Sequence, residues 1–258
     1  MNANNLHSAD QHGSSAAASN EGRPGRRSAL APVGRETLHE RVYAELRRSL
    51  IHGVFEAGQV LRIVELAETL QTSTMPVREA LARLVSEQAL EALPNRSVRV
   101  PLVTRDRLDD LALARPLIEE QLVALALPNL NKHDFKELRR LTLACEAAFK
   151  SEDPDKARTT SELNHAFHFY IYQAARSAVL IPIVESLWLQ SGPYVRAAAH
   201  IHDENRGIPA VHHHWALIEA LERGDKDGAK RALTDDITRS FDLVRNRLAA
   251  AGNSDGQE

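Results

Sequence analysis

The sequence predicts a mainly α-helical protein in two parts: three short helices closed by a small β-hairpin, then an antiparallel bundle of about six helices. Three observations predict this. Apolar residues recur at three- and four-residue spacing along most of the chain after Thr37. Aromatics are only 5% of residues against 43% hydrophobic, so Leu, Ala, Val and Ile must fill the interior, as in helix-on-helix cores. One stretch, 91–101, instead turns β-like around Pro94-Asn95-Arg96-Ser97.

Bulk properties bound the function. The 258 residues suffice for two modest domains or one large one, and 26% charged residues suit a soluble globular chain. A net charge of −3 excludes a polycation, so any nucleic-acid contact must come from local charge. The single cysteine, Cys145, cannot form an internal disulfide, which fits a reducing compartment. No apolar run approaches the ~20 residues that span a bilayer, and the N-terminus lacks the apolar stretch of a secretory signal. A cytoplasmic protein with no membrane partner is expected.

In chain order, residues 1–35 are Asn-, Ser-, Ala- and Gly-rich and carry Arg23, Arg26, Arg27 and Arg35. A disordered basic tail is expected, serving either solubility or phosphate contact. A DNA-binding domain is expected over 36–102. Leu38, Val42, Leu46 and Leu50 form its first helical stripe, with Thr37 and Glu40 placed as a capping box and Gly53 as a stop. Ile63, Leu66, Ala67 and Leu70 mark a second helix and Val77–Leu84 a third, with Pro76 at its first turn. The short turn between these two, followed by the 91–101 hairpin, makes a winged helix-turn-helix. Beyond Thr104, segments near 105–127, 132–150, 154–175, 178–201, 208–223 and 226–249 read as helices, broken near Asn131, Pro154, Gly207 and Gly224. They form an expected all-helical domain over 104–250, with Pro116 expected to bend the first helix.

The third helix would lie in a major groove. Its leading turn carries Thr72, Ser73, Thr74 and Arg78; small hydroxyls at a helix N-terminus suit phosphates, and Arg78 suits a guanine edge. Arg96 at the wing tip suits the minor groove or backbone, and Arg83 lies further along the same helix. Equally, Arg78 and Arg83 can pair with Glu79 and Glu87 on a solvated face. This half resembles the GntR family of transcription regulators, through Tyr43-Ala44-Glu45-Leu46-Arg47, Ile51-His52-Gly53, Gly58-Gln59-Val60-Leu61, Leu66-Ala67-Glu68 and Ser73-Thr74-Met75-Pro76-Val77-Arg78-Glu79-Ala80-Leu81. Thr74 stands where the family usually has arginine, and Ser97 where it has glycine.

In the second half, helical periodicity turns polar groups inward. On 159–175, Asn164 and His168 edge the apolar stripe while His165 points the other way, toward solvent. His214 falls within the stripe of 208–223 and Asp236 within that of 226–249, whereas His212, His213 and Asp235 fall outside. A buried carboxylate needs a partner. Two imidazoles, a carboxylate and an amide oxygen suit a divalent cation such as Zn²⁺ or Ni²⁺; a hydrogen-bonded core pocket is the alternative. This half resembles the FCD ligand-binding domain of FadR-type GntR regulators, through Arg115 with Glu119, Asn164-His165-Ala166-Phe167-His168, His214 with Ile218-Glu219-Ala220-Leu221, Gly224-Asp225 and Ala229. The resemblance implies metal ligation by Asn164, His168 and His214, with Asp236 where the family has histidine. It also implies a small-molecule effector, often an organic acid. Arg115 can clamp a carboxylate or pair with Glu119, and Arg196 is a second candidate cation.

The function so implied is a homodimeric regulator, a repressor, binding a double-stranded DNA operator under effector control. A metal-dependent enzyme on the bundle is a rival. The chain holds no His-Glu-x-x-His stretch, nucleophile elbow or Gly-rich phosphate loop, so no enzyme is expected. A non-catalytic helical interaction protein is the other rival, and leaves Ser73–Leu81 without purpose.

Overall fold

The computed structural model describes residues 37–94, 97–202 and 208–254. The expected tail at 1–35, wing-tip Arg96 and the break at Gly207 lie outside the described residues. The first helix, α1 (Leu38–Ile51), opens on the expected capping box: Glu40 N donates to Thr37 Oγ1, and Thr37 N donates to Glu40 Oε2. It stops before Gly53, whose φ of +64° suits a residue without Cβ. After β1 (Val60–Leu61) and α2 (Ile63–Thr69), the chain turns through Gln71 at φ +52° into α3 (Thr74–Ser86). The hairpin follows as β2 (Glu91–Ala92) and β3 (Val98–Arg99), antiparallel, with Glu91 opposite Arg99.

Two features differ from the sequence expectation here. β1 pairs with the far edge of β3, giving a three-stranded sheet in the order β1-β3-β2. Two residues are too few for a period-2 pattern to register. Also, α3 begins at Thr74, so Pro76 is its third residue, still within the turn whose N–H groups lack helical partners. Val42, Leu46 and Leu50 of α1 and Val77, Ala80, Leu81 and Leu84 of α3 share one core.

The second half contains α4 (Arg105–Ala126), α5 (Lys132–Phe149), α6 (Lys156–Ala174), α7 (Leu180–Ile201), α8 (His212–Glu222) and α9 (Lys226–Ser254). All six expected helices are present. α4 runs through Pro116 as one helix. α9 packs on α4, α7 and α8, while α6 packs on α4, α5 and α7. Aromatics are few, yet Trp188, Tyr172, Tyr194, Phe167 and Phe241 are among the largest fully buried side chains. No helix among the described residues is long and apolar enough to cross a membrane.

The two halves meet along α7. Leu189 of α7 sits in the core of α1 and α3. Gly192 lets the backbones touch, since a Cβ there would lie 2.1 Å from the Leu50 carbonyl oxygen. Arg47 reaches Glu185 at 3.2 Å, and Arg107 donates to the Gln88 carbonyl at 2.5 Å.

Candidate functional site

The helix α3 buries Val77, Ala80, Leu81 and Leu84 and presents Ser73, Thr74 and Arg78 to solvent. Arg78 makes no ion pair among the described residues, and Glu79 turns to His39 of α1. Two other expected contacts are drawn inward. The Thr72 hydroxyl is buried in the turn. Arg83 pairs with Glu87 at 3.0 Å and lies over the Tyr43 ring at 3.7 Å. Arg83 therefore braces α3 on α1, the pairing that its spacing from Glu87 allowed.

Inside the second half, α6, α8 and α9 bring Asn164, His168, His214 and Asp236 together, all four predicted from helical position. His168 Nε2 lies 3.0 Å from Asp236 Oδ2, and His214 Nε2 lies 3.0 Å from Asn164 Oδ1 and 3.9 Å from Asp236 Oδ2. One donor atom each from His168, His214 and Asp236 falls within a 4.8 Å span. His168 and His214 are buried, and Asp236 is 9% exposed. Burial pushes the His214 imidazole down to about 3, so it is neutral and keeps a lone pair. Burial acts to raise the Asp236 carboxyl, but its close contact with His168 outweighs burial and holds it well below the usual range. A neutral imidazole, an ionised carboxylate and an amide oxygen are the donor chemistry a divalent cation takes. The four side chains fit such an ion.

A cavity of about 50 Å³ opens against this cluster. Thr160, Ser161, His202, Arg239 and Ser240 line it together with Asn164, His214 and Asp236. The two arginines expected there are elsewhere. Arg115 is buried and bidentate to Glu119, at 2.6 and 3.2 Å, with its guanidinium 4.1 Å from the Trp188 ring centre. Arg196 faces the first half, donating to the Gly53 and Val54 carbonyls. The cation on the cavity wall is Arg239, which donates to the Ile208 and Pro209 carbonyls, the latter at 2.6 Å. Its signal was spacing: Arg239 follows Asp236 by three residues, as Ser161 precedes Asn164 by three, so each shares a face with a cluster residue.

His165 also departs from expectation. It stacks on Phe169 at 4.0 Å and meets the edges of His52 at 5.3 Å and Trp188 at 5.4 Å. Burial, with the Arg47 and Arg115 charges nearby, pushes it down to about 3. A helical wheel treats the side away from the bundle as solvent, but α1 covers that side here.

Comparison with known proteins bears on both sites. Residues 38–100 match the bacterial regulatory proteins of the gntR family, and residues 110–239 match the FCD domain. The chain belongs to the GntR family, in its FCD-containing branch. The HTH-type transcriptional regulator McbR of Escherichia coli (strain K12) is 32% identical over 211 residues, 81% of this chain and 93% of that protein. The solved structure of E. coli McbR/YncC superposes with a TM-score of 0.76 at 28% identity, covering 83% of this GntR-family chain and all of that one. A probable D-xylose utilization operon transcriptional repressor of Paenarthrobacter nicotinovorans is 27% identical over 203 residues, 78% of this chain and 85% of that protein. A putative GntR regulator from Rhodococcus sp. RHA1, at 18% identity, TM-score 0.64 and 81% and 97% coverage, shares the fold.

Proposed function

We propose that this protein is a transcription regulator, a repressor, whose α3 reads an operator while its helical half binds a small organic acid through a divalent cation. The observation that carries the DNA reading is the outward turn of α3, where Ser73, Thr74 and Arg78 stand exposed above a helix whose other face is buried. Arg78 would set two hydrogen bonds on a guanine edge, and Ser73 and Thr74 would hold phosphates beside the helix N-terminus. Arg96, by the sequence expectation, would add a minor-groove or backbone contact. Two copies would read a two-fold operator in the cytoplasm, each placing one α3 in a major groove.

Asn164, His168, His214 and Asp236 would hold the cation, Zn²⁺ or Ni²⁺ by donor type. The cation would supply positive charge to an anionic ligand. The cavity's size supports a small ligand: at ~10–15 Å³ per water-sized group, it takes only about three to five. The Arg239 charge on its wall suits a carboxylate, and the Thr160 and Ser161 hydroxyls, whose protons go to backbone carbonyls of α6, can accept from a ligand hydroxyl. Arg115 and Arg196 have no part in this set, one being spent on Glu119 and the other on the junction.

The test is an unbiased selection of duplex oligonucleotides by the purified protein, followed by fluorescence anisotropy across a salt series. Specific binding should exceed nonspecific binding by ~10³-fold or more at physiological salt. Equal affinity for selected and random duplexes, with and without added Zn²⁺ and organic acids, would sink the proposal.

A further inference from the structure

The polar cluster does not end at His168. Behind it run Tyr172, Glu119 and Arg115, each no more than 3% exposed. Arg115 donates from Nε and Nη2 to the two carboxylate oxygens of Glu119. The Tyr172 hydroxyl closes on Glu119 Oε2 and also faces His168 Nδ1 at 3.3 Å. Tyr172 is four residues after His168 and Glu119 four after Arg115, so two helical turns on α6 and α4 build the chain.

Donor bookkeeping decides the direction. A phenol has one proton. The closer contact is to the carboxylate, which can only accept, so the Tyr172 proton points at Glu119. A lone pair of the Tyr172 oxygen is left for His168, and Nδ1 must therefore be the nitrogen that carries hydrogen. A ring protonated at Nδ1 turns the Nε2 lone pair toward Asp236 Oδ2, 3.0 Å away. Lone pair against carboxylate is repulsive unless a positive charge lies between them.

We propose that Arg115, Glu119 and Tyr172 are positioning residues that lock His168 as its Nδ1–H tautomer and aim its Nε2 lone pair at a divalent cation. Arg115 neutralises the buried Glu119 and is itself clamped over Trp188. Glu119 fixes the phenol, and the phenol fixes the imidazole. Outer partners of metal-bound histidines commonly set orientation and basicity in this way, and their loss weakens metal binding by about 10–100-fold. The inference rests on the cation reading made above, and adds residues that no cavity-lining argument would include.

The experiment is Zn²⁺ titration of the chelator-treated full-length protein by calorimetry with a competing chelator. Wild type, Tyr172→Phe and His168→Ala are compared, and ¹⁵N–¹H spectra record the imidazole tautomers of Zn²⁺-loaded wild type. The expected results are a loss of about 10–100-fold in Zn²⁺ affinity for Tyr172→Phe, and a wild-type His168 spectrum with hydrogen on Nδ1. A purely structural hydroxyl would lower the urea midpoint of the metal-free protein and leave Zn²⁺ affinity alone. Wild-type binding that Tyr172→Phe leaves unchanged overturns the positioning chain and spares the cation reading. No Zn²⁺ binding by wild type overturns both. If Tyr172→Phe does not fold, the wild-type spectrum decides: hydrogen on Nε2 refutes the proposal.

Discussion

Replacing Gly192 by alanine tests how the two halves are joined. The added Cβ would stand 2.1 Å from the carbonyl oxygen of Leu50 and 3.0 Å from its carbonyl carbon. Both are backbone atoms, so no side chain can swing aside. Restoring ordinary van der Waals separation requires α1 and α7 to part by about 1.5 Å. Overpacking of this kind costs about 1–3 kcal/mol. With a domain of this size losing ~2–4 °C per kcal/mol, the melting temperature should fall by about 2–12 °C. Gly224→Ala is the control: nothing lies within 4 Å of its Cβ, but φ is +70°, so any loss there comes from left-handed backbone, ~1–2 kcal/mol. The assay is calorimetric melting of both variants, with operator affinity measured at a temperature where each is folded. Gly192→Ala should also alter operator affinity, because α1 carries α3, whereas Gly224→Ala should not. A Gly192→Ala protein with wild-type melting and wild-type DNA binding would refute the close α1–α7 approach.

Other outcomes follow from the same geometry. Arg78→Ala should weaken operator binding by about 1–3 kcal/mol, read by anisotropy. Arg83→Ala, removing a side chain already spent on Glu87 and Tyr43, should mainly lower stability; the reverse ranking would invert the assignment. Saturating Zn²⁺ at ~100 times its Kd should raise wild-type stability by ~2.7 kcal/mol and Tm by ~5–10 °C. His214→Ala should lose that rise, and an equal rise in both would reject the ligand set. In metal-free protein, His165 and His214 sit at about 3 against an unfolded value near ~6.5. Only the unfolded chain takes up those protons, so stability is full above pH ~6.5 and falls as pH drops toward 3, by up to ~1.4 kcal/mol per pH unit for each histidine. His165→Phe should remove one such contribution from the urea-midpoint profile. A profile as steep as wild type would show that His165 is not held neutral.

What is legible in the sequence is whatever one helix encodes by itself. Thr37 with Glu40 and the position of Gly53 are read from neighbours a turn apart, and α1 follows them closely. Asn164, His168, His214 and Asp236 each sit at a definite angle to their own apolar stripe, so their convergence follows once the helices bury those stripes. Arg115 and Glu119, one turn apart, form the pair their spacing allowed. What is illegible depends on a second element, in the same half or the other. His165 faces α1, Arg196 reaches the Gly53 carbonyl, and Arg83 lies over Tyr43. β1 takes its identity from β3, not from its own two residues. Arg239 falls between these cases: its face follows from Asp236, but the loop carbonyls that orient it do not.

The proposed response of α3 to the polar cluster would run through the contacts between the two halves. Asn164 and His168 face the cluster from α6, while His165 on the same helix bears on His52 at the end of α1. Residues 164–168 span only ~6 Å of helix axis, so a rigid α6 cannot shift its cluster side without shifting His165. α7 offers a second route: Trp188 lies under Arg115 and beside His168, Leu189 belongs to the first core, and Gly192 touches Leu50. α1 in turn grips α3 through His39 with Glu79 and Tyr43 with Glu87, the latter at 2.7 Å. An ion or effector that prefers one arrangement of α6 and α7 therefore biases α3, by no more than its difference in affinity for the two arrangements. Because both routes pass through α1, widening the α1–α7 spacing at Gly192 should reduce the effect of bound ligand on operator affinity more than it reduces ligand binding itself.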